Sequence, residues 1–595
     1  MKKDKTILEK QTAEETSPKW LDIATGILLF AFGIYSSILY FGHTIIPNSD
    51  FASFWQVGNA LLHLRLPDTF KYAPVVGILQ NLIHDLSFGH LSPLKSGWVL
   101  NAILQPFSVV LLWLVGKKII GRAAVWFALI VAISPWTIYS MTEPIGETPY
   151  LFFILLTVYL IFCHSRWAYL AASITTMVRY EGAALIFAAF VVDILHRKDK
   201  RDIYMAILYS VLASIPLLVW LAMTVLTWKS GTSHYFNVLF TKEYSKGFTE
   251  PVEGRIGVML HLNLLWQTGF QPMLIPFVGA SEDSAQTILK ISIMAAIAGS
   301  ILACIFAILK RRWEILVLLI FFIPYFALHA WYPYPLKRFH STIFWIAILI
   351  SWFGLQSTGS LLAKKLRLPE IVTLLLKSAV ILAAGAWCIS LAEYLPKAAL
   401  MSPVSASIPY TAISIAAVIV ITRLITEKGK LSIRIPSYIC IISVMCLAIA
   451  SNQFMLAPLL GDGKREIEFK MLGEWFEAHA KPNEKLAVYQ NDTQLFAGKY
   501  AQNVIGFPKA DSPKDLAEKL RKDGVVYVVW ATREGYSHGE HTGYQQLGLN
   551  KNIAFLEKPR SIGCYEYVTQ VGTEKGYVNI FRLKDTGEEQ LPNVK

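Results

Sequence analysis

Long apolar runs separated by short polar gaps extend over most of the chain, from residue 20 to residue 456. A helix needs about 20 apolar residues to cross the hydrocarbon core of a bilayer. The runs that meet or approach this length are Leu21–Tyr40, Trp98–Val115, Ala123–Ile138, Pro149–Phe162, Ile203–Trp228, Ile291–Leu309, Ile315–Ala327, Ser341–Leu355, Ile371–Leu391, Tyr410–Ile421 and Pro436–Phe454. This pattern predicts a polytopic α-helical membrane protein.

One further run, Trp167–Leu195, is interrupted by Arg179 and Glu181. A single helix would bury both charges near mid-span, at roughly 2.5 to 3.5 kcal/mol each. Basic residues flank the run at Arg166 and Arg197, and basic loops face the cytoplasm. The run is therefore predicted to cross twice and to turn at Arg179. Basic clusters after alternate spans then predict about 13 transmembrane helices in residues 20–456, after a cytoplasmic tail at residues 1–19.

After Gly461 the pattern changes, and charged residues become dense. Helical spacing of apolar residues predicts one helix, and Ser512 and Gly524 mark the start and stop of another. The predicted elements are helices over Lys464–Ala480 and Ser512–Gly524, and strands over Leu486–Gln490, Val504–Phe507, Val525–Trp530, Cys564–Val568 and Tyr577–Arg582. Residues 460–595 are thus predicted to form an extracytoplasmic α/β domain, a lid or acceptor-docking module.

Composition supports the membrane assignment, since 54% of residues are hydrophobic and 16% are charged. The net charge of +13 lies mainly in clusters between apolar runs. That distribution is typical of topogenic loops and argues against a nucleic-acid partner. The six cysteines show neither a disulfide framework nor the spacing of a metal site.

Charged residues near the outward membrane surface are the main candidates for function. Asp50 follows the first span, with Tyr72 downstream in the same loop. A carboxylate partly screened from water can act as a general base. The alternative is a helix N-cap, because Asp50 or Ser49 precedes a helical pattern.

Three further outward clusters carry charge. Glu143 and Glu147 lie before the fourth span, where an acid is favoured at a helix N-terminus. The Arg179–Glu181 turn is either part of a functional site or an internal ion pair that stabilises the break in the helix. Lys337 and Arg338 lie in an outward loop, against the general charge bias. They suit a phosphate, since Arg offers forked donors, or else they extend toward lipid headgroups.

These motifs resemble those of the GT-C glycosyltransferases, and specifically the protein O-mannosyltransferase and aminoarabinose-transferase group. The resemblance covers the whole membrane part. It rests on an Asp early in the first outward loop (Asp50), on Met141-Thr142-Glu143-Pro144, on Arg179-Tyr180-Glu181-Gly182, and on the segment around Arg338. Two positions depart from the family pattern, because Phe51 replaces a second acid and Tyr180 replaces a proline.

The resemblance implies a membrane enzyme that moves a sugar from a polyprenyl-phosphate donor to a lipid, glycan or protein acceptor. Asp50 is then the catalytic base, and Arg179, Arg338 and Lys337 bind the donor phosphate. Glu143, Glu147, Glu181 and Tyr72 orient the sugar or the acceptor. No cofactor is implied, and a divalent metal stays open. The alternatives are a transferase that uses a polyprenyl-pyrophosphate glycan, and a non-enzymatic lipid or sugar transporter or flippase.

Overall fold

The structure is a computed structural model that describes residues 19–226, 261–265, 268–269, 297–309, 312–331, 337–366 and 467–584. Within these ranges residues 49, 68, 69, 71, 197, 198, 489, 490, 509, 511, 532–552 and 575 are not described. The predicted spans Ile371–Leu391, Tyr410–Ile421 and Pro436–Phe454 lie outside the described residues, as does the predicted cytoplasmic tail up to residue 18.

The regular secondary structure described between residues 19 and 366 consists of helices, as the apolar periodicity predicts. Their bounds are α1 Lys19–Leu39, α2 Asp50–Leu62, α3 Val75–Leu86, α4 Pro93–Ile120, α5 Ala124–Ile133, α6 Pro135–Thr142, α7 Glu147–Phe162, α8 Trp167–Val178, α9 Ala183–His196, α10 Lys200–Leu226, α11 Ile297–Leu309, α12 Trp313–Trp331, α13 Lys337–His340 and α14 Phe344–Leu366. Four described helices, α1, α4, α10 and α12, are individually long and apolar enough to cross a membrane.

The predicted span Ala123–Ile138 is not one straight helix. It consists of α5 and α6, which meet at an angle of 55°. Pro135 is the first residue of α6, and proline has no backbone N–H to continue the preceding helix. The sequence was interpreted as a single span because proline within an apolar run leaves the hydropathy pattern almost unchanged.

Helices α8 and α9 form the predicted hairpin around Arg179. Tyr169, near the start of α8, donates a hydrogen bond of 3.1 Å to Asp193 Oδ2 near the end of α9. The rings of His164 and His196 lie 4.7 Å apart beyond these same ends. The two helices therefore run antiparallel, and the turn at Arg179 lies at the opposite end from Arg166.

Basic residues gather at the end of the bundle away from the Arg179 turn. Lys117 Nζ at the end of α4 lies 2.6 Å from Asp22 Oδ2 at the start of α1. Arg312 donates to the carbonyl of Ile119 at 3.2 Å, just before α12 begins. Helices of alternating direction thus bring their basic termini together, as the charge pattern predicts.

Helices α2 and α3 cross at two glycines. A Cβ on Gly58 would overlap the backbone of Gly77, and a Cβ on Gly77 would overlap the carbonyl of Phe54. The absence of both side chains lets the two helix backbones approach closely. This contact fixes the angle at which α2 presents its first residue, Asp50.

Gly58→Ala should destabilise the protein by about 1 to 3 kcal/mol, since the new methyl group has only backbone to displace. Gly26→Ala in α1 is the matched control, because its Cβ would lie 3.6 Å from Trp113, an ordinary contact. Thermal unfolding of both purified variants in detergent measures the difference. A melting temperature for Gly58→Ala equal to that of Gly26→Ala would contradict the close crossing.

The C-terminal part contains a five-stranded sheet of order β2-β1-β3-β5-β4. Its strands are β1 Lys485–Ala487, β2 Val504–Ile505, β3 Val525–Ala531, β4 Tyr565–Thr573 and β5 Gly576–Leu583, and its helices are α15 Ile467–His479 and α16 Pro513–Lys522. Strand β1 pairs in parallel with β2 and β3, whereas β5 pairs antiparallel with β3 and β4. Each predicted strand and helix of this part corresponds to an observed one.

The sheet lies between two helical layers. Alternate residues of β3 face opposite sides, with Val528 in a cluster with Leu520 of α16, and Val529 in a cluster with Phe476 of α15. Successive side chains of a strand point to opposite faces of the sheet. Because both faces of β3 are buried, the run Val525–Trp530 is apolar at every position.

Candidate active site

Asp50 is the first residue of α2, and its carboxylate faces other charged and polar groups. Tyr72 donates a hydrogen bond of 3.0 Å to Asp50 Oδ1, and Arg338 donates one of 2.7 Å to Asp50 Oδ2. The backbone N–H of Asp50 donates to Asn48 Oδ1 at 3.1 Å. Asn48 therefore supplies a side-chain acceptor at the start of α2, and the Asp50 carboxylate is oriented toward the site.

Arg338 lies on the short helix α13, and it connects Asp50 to a second acid. Its Nε atom is 3.9 Å from Glu147 Oε1. Burial disfavours the charged guanidinium, but Asp50 and Glu147 outweigh burial and raise the pKa of Arg338 above its ordinary value. The side chain therefore stays cationic at every physiological pH.

Arg179, at the turn of the hairpin, is surrounded by acids and aromatic rings. Its Nη1 atom lies 3.4 Å from Glu147 Oε1, and its Nη2 atom lies 2.9 Å from Glu181 Oε1. The centroids of the Tyr150 and Phe339 rings lie 5.5 Å and 5.1 Å from the guanidinium carbon. Arg179 thus connects Glu147 and Glu181 and lies between two aromatic rings.

His329 extends this network and was not among the residues that the sequence singled out. Its Nε2 atom lies 3.1 Å from Glu181 Oε1, and its ring stacks on Phe339 at 4.7 Å. The available signal is a polar residue near the end of the α12 apolar run, four positions after Tyr325. A single polar residue at a helix end has no distinctive spacing, so sequence alone does not single it out.

The network is built from separate segments whose ends meet at one place. Glu147 begins α7, Arg179 follows α8, and His329 lies in the last turn of α12. Because α8 and α12 run in one direction and α7 runs in the other, the alternation of spans brings these termini to one end. Of the acids and cations that the sequence predicts to share one pocket, those that lie together at this end of the bundle are Asp50, Glu147, Arg179, Glu181 and Arg338.

Exposure distinguishes the two acids that contact Arg338. The side chain of Asp50 is 26% exposed, whereas that of Glu147 is 4% exposed. The Asp50 carboxylate is therefore the more accessible of the two. Glu147 Oε2 is buried and has no hydrogen-bond partner within the described ranges, which leaves one acceptor atom for a bound polar group.

Two predicted residues have other environments. Glu143 Oε2 accepts a hydrogen bond of 3.2 Å from the backbone N–H of Asn48, and thus helps to position the segment before α2. Lys337 begins α13, but its side chain lies outside the described residues. Within the described part of the chain no three His, Cys, Asp or Glu side chains are grouped to hold a metal ion.

The chain matches no protein-family model and no curated protein sequence. Its structure is similar to that of ArnT from Cupriavidus metallidurans bound to undecaprenyl phosphate, at 11% sequence identity over 95% of this chain and 98% of that chain, with a TM-score of 0.50. The apo state of the same protein gives 11% identity over 93% and 97% of the two chains, with a TM-score of 0.50.

An Archaeoglobus fulgidus oligosaccharyltransferase tethered to an acceptor peptide matches at 13% identity over 97% of this chain and 75% of that chain, with a TM-score of 0.49. The similarity to ArnT extends over nearly the full length of both proteins. The chain therefore has the fold of ArnT, a GT-C glycosyltransferase fold, as the resemblance of its motifs predicts.

Proposed function

We propose that this protein is a membrane glycosyltransferase that moves a sugar from a polyprenyl-phosphate donor to an acceptor hydroxyl on the extracytoplasmic side. The observation that carries the proposal is the half-buried Asp50 carboxylate, held by Tyr72 and Arg338 at one end of a bundle with the ArnT fold. ArnT binds undecaprenyl phosphate, which is a polyprenyl phosphate.

In the proposed reaction the acceptor hydroxyl transfers its proton to Asp50 as its oxygen attacks the anomeric carbon. The bond from that carbon to the phosphate oxygen breaks at the same time, and the configuration inverts. The leaving phosphate takes the electron pair as an anion, so it needs cationic stabilisation and no proton. Arg338 supplies this charge. Lys337 is its neighbour in the chain, and Arg179 contacts the same Glu147 oxygen from another side.

Donor binding also changes the surroundings of the base. Arg338 donates to Asp50 Oδ2 in this structure, and an incoming phosphate competes for the same guanidinium. As Arg338 turns toward the phosphate, Asp50 Oδ2 becomes available to accept the acceptor proton. Glu147 orients the sugar through its contacts with Arg338 and Arg179, while Glu143 and Glu181 support the site through Asn48 and Arg179.

The proposal is tested by incubating purified protein with radiolabelled polyprenyl-phosphate sugars and a panel of lipid, glycan and protein acceptors. The measured quantity is the label transferred to each acceptor. Labelled product of inverted anomeric configuration supports the proposal. Turnover only with pyrophosphate-linked glycans would instead indicate the ligase alternative. Movement of labelled donor across vesicle membranes without any transfer would indicate a flippase.

A topology experiment tests the membrane side of the site. We expect a reporter fused after the C-terminus to be extracytoplasmic and a reporter at the N-terminus to be cytoplasmic. The basic termini around Lys117 and Arg312 lie opposite the charged network, as the positive-inside rule requires for this orientation. A cytoplasmic C-terminal reporter would place the network on the wrong side for an extracytoplasmic acceptor.

A further inference from the structure

A short segment of the C-terminal domain, residues 491–496, packs against helix α2. Gln56 on α2 donates a hydrogen bond of 3.2 Å to Gln494 Oε1. Gln494 in turn donates through Nε2 to the carbonyl of Val504 at 2.7 Å. One glutamine side chain therefore links α2 to strand β2 of the C-terminal sheet.

Apolar contacts reinforce this link. Leu495 and Phe496 pack on a cluster whose buried members are Phe51, Leu94 and Ile145. Phe51, the residue after Asp50, is fully buried. The contact between the two domains thus begins one residue from the proposed base.

Helix α2 is held by both α3 and the 491–496 segment. Its residues 51, 54, 55 and 58 have the i, i+3, i+4, i+7 spacing of a single helix face. That face packs on α3, where Gly58 lies against the Gly77 backbone, and on the cluster that includes Leu495 and Phe496. Gln56, which donates to Gln494, lies outside this stripe. The 491–496 segment therefore contacts α2 both at its apolar face and beside it.

The 491–496 segment is itself fixed to the C-terminal domain. A Cβ on Gly473 of α15 would lie 2.7 Å from Phe496 Cβ and 2.8 Å from the carbonyl of Thr493. The segment therefore lies directly on the α15 backbone. Any displacement of this domain is transmitted to Leu495 and Phe496, and from them to α2.

We propose that the 491–496 segment is a positioning element for Asp50, holding α2 so that the carboxylate meets Tyr72 and Arg338. The catalytic consequence rests on the proposed function, whereas the restraint of α2 does not. A misplacement of about 1 Å in a reacting group can cost about 100-fold in rate. The C-terminal domain then positions the catalytic base, in addition to any role as the lid or docking module that its sequence predicts.

The first test compares the double variant Leu495→Ala/Phe496→Ala with Phe555→Ala in full-length purified protein. Phe555 is a half-buried residue of the C-terminal domain that packs on the α16 side of the sheet, away from α2. We expect faster amide hydrogen exchange over residues 50–62 in the double variant only. We also expect kcat to fall about 10- to 100-fold with donor KM nearly unchanged.

A rescue experiment separates positioning from general loosening of the fold. For this experiment Gln56→Cys and Gln494→Cys are added to the double variant, and the two cysteines are joined by a reducible bis-thiosulfonate cross-linker. The cross-link should restore slow exchange in α2 and most of kcat. Reduction of the cross-link should remove both gains, and each single cysteine variant is a control for reagent effects.

Exchange in α2 that is equal in the double variant and in Phe555→Ala would overturn the proposal. Faster exchange with an unchanged kcat would overturn its catalytic part. Should the wild-type protein transfer no sugar, the proposed function fails. The exchange measurement still decides whether this segment restrains α2.

Discussion

Asp50→Asn should lower the rate of sugar transfer by about 100- to 10,000-fold, the range expected when a general base is removed. The asparagine side chain has nearly the same shape but cannot take the acceptor proton. It also carries no charge to attract Arg338, which leaves this guanidinium more available to a donor phosphate. Donor binding should therefore be at least as tight as in the wild type, while turnover is lost.

The matched control for this variant is Asp85→Asn. Asp85 lies on α3, which packs on α2, but it is exposed and stands apart from the charged network. Transfer rates with one donor and acceptor pair, together with donor affinity, measure both variants. Near-normal turnover by Asp50→Asn would remove Asp50 as the base, whatever the effect of Asp85→Asn.

Arg338→Gln should have the second largest effect, a fall in kcat of about 100- to 1,000-fold, as for the loss of a group that stabilises developing negative charge. It should also weaken donor binding, because the cation that meets the phosphate is gone. Arg338→Lys should be intermediate, since an ammonium keeps the charge but cannot contact Asp50 and Glu147 through a planar fork.

The control for Arg338→Gln is Arg65→Gln, because Arg65 is an exposed arginine between α2 and α3. Combining Arg338→Gln with Asp50→Asn distinguishes two roles for the cation. If Arg338 binds phosphate, the double variant loses donor affinity relative to Asp50→Asn alone. If Arg338 acts only by holding Asp50, the two proteins bind donor equally.

Several features of the fold followed from local pattern. Charge placement predicted that the run around Arg179 turns back on itself, and the contact between Tyr169 and Asp193 confirms the hairpin. Alternating and buried apolar runs predicted the strands of the C-terminal sheet. These predictions succeed because each depends on residues close in sequence, where hydrophobic period and helix or turn chemistry act directly.

Other features depend on contacts between distant residues. Arg338 and Asp50 are 288 positions apart, and no local property of either predicts that they form an ion pair. Sequence left open whether Asp50 caps a helix, and the orientation of its carboxylate toward Tyr72 and Arg338 favours a role in the site. His329 joined the site only through the packing of α12 against the hairpin turn.

By itself, the sequence determined a membrane bundle with an α/β domain at its C-terminus, and it brought the candidate acids and cations to one side. Hydrophobic burial and charge bias act on each segment separately, so they can be recognised along the chain. The tertiary structure alone decided which acid meets which cation, how deeply each is buried, and that residues 491–496 press on α2. These outcomes depend on how whole helices pack, and packing is a property of pairs of surfaces that no single segment encodes.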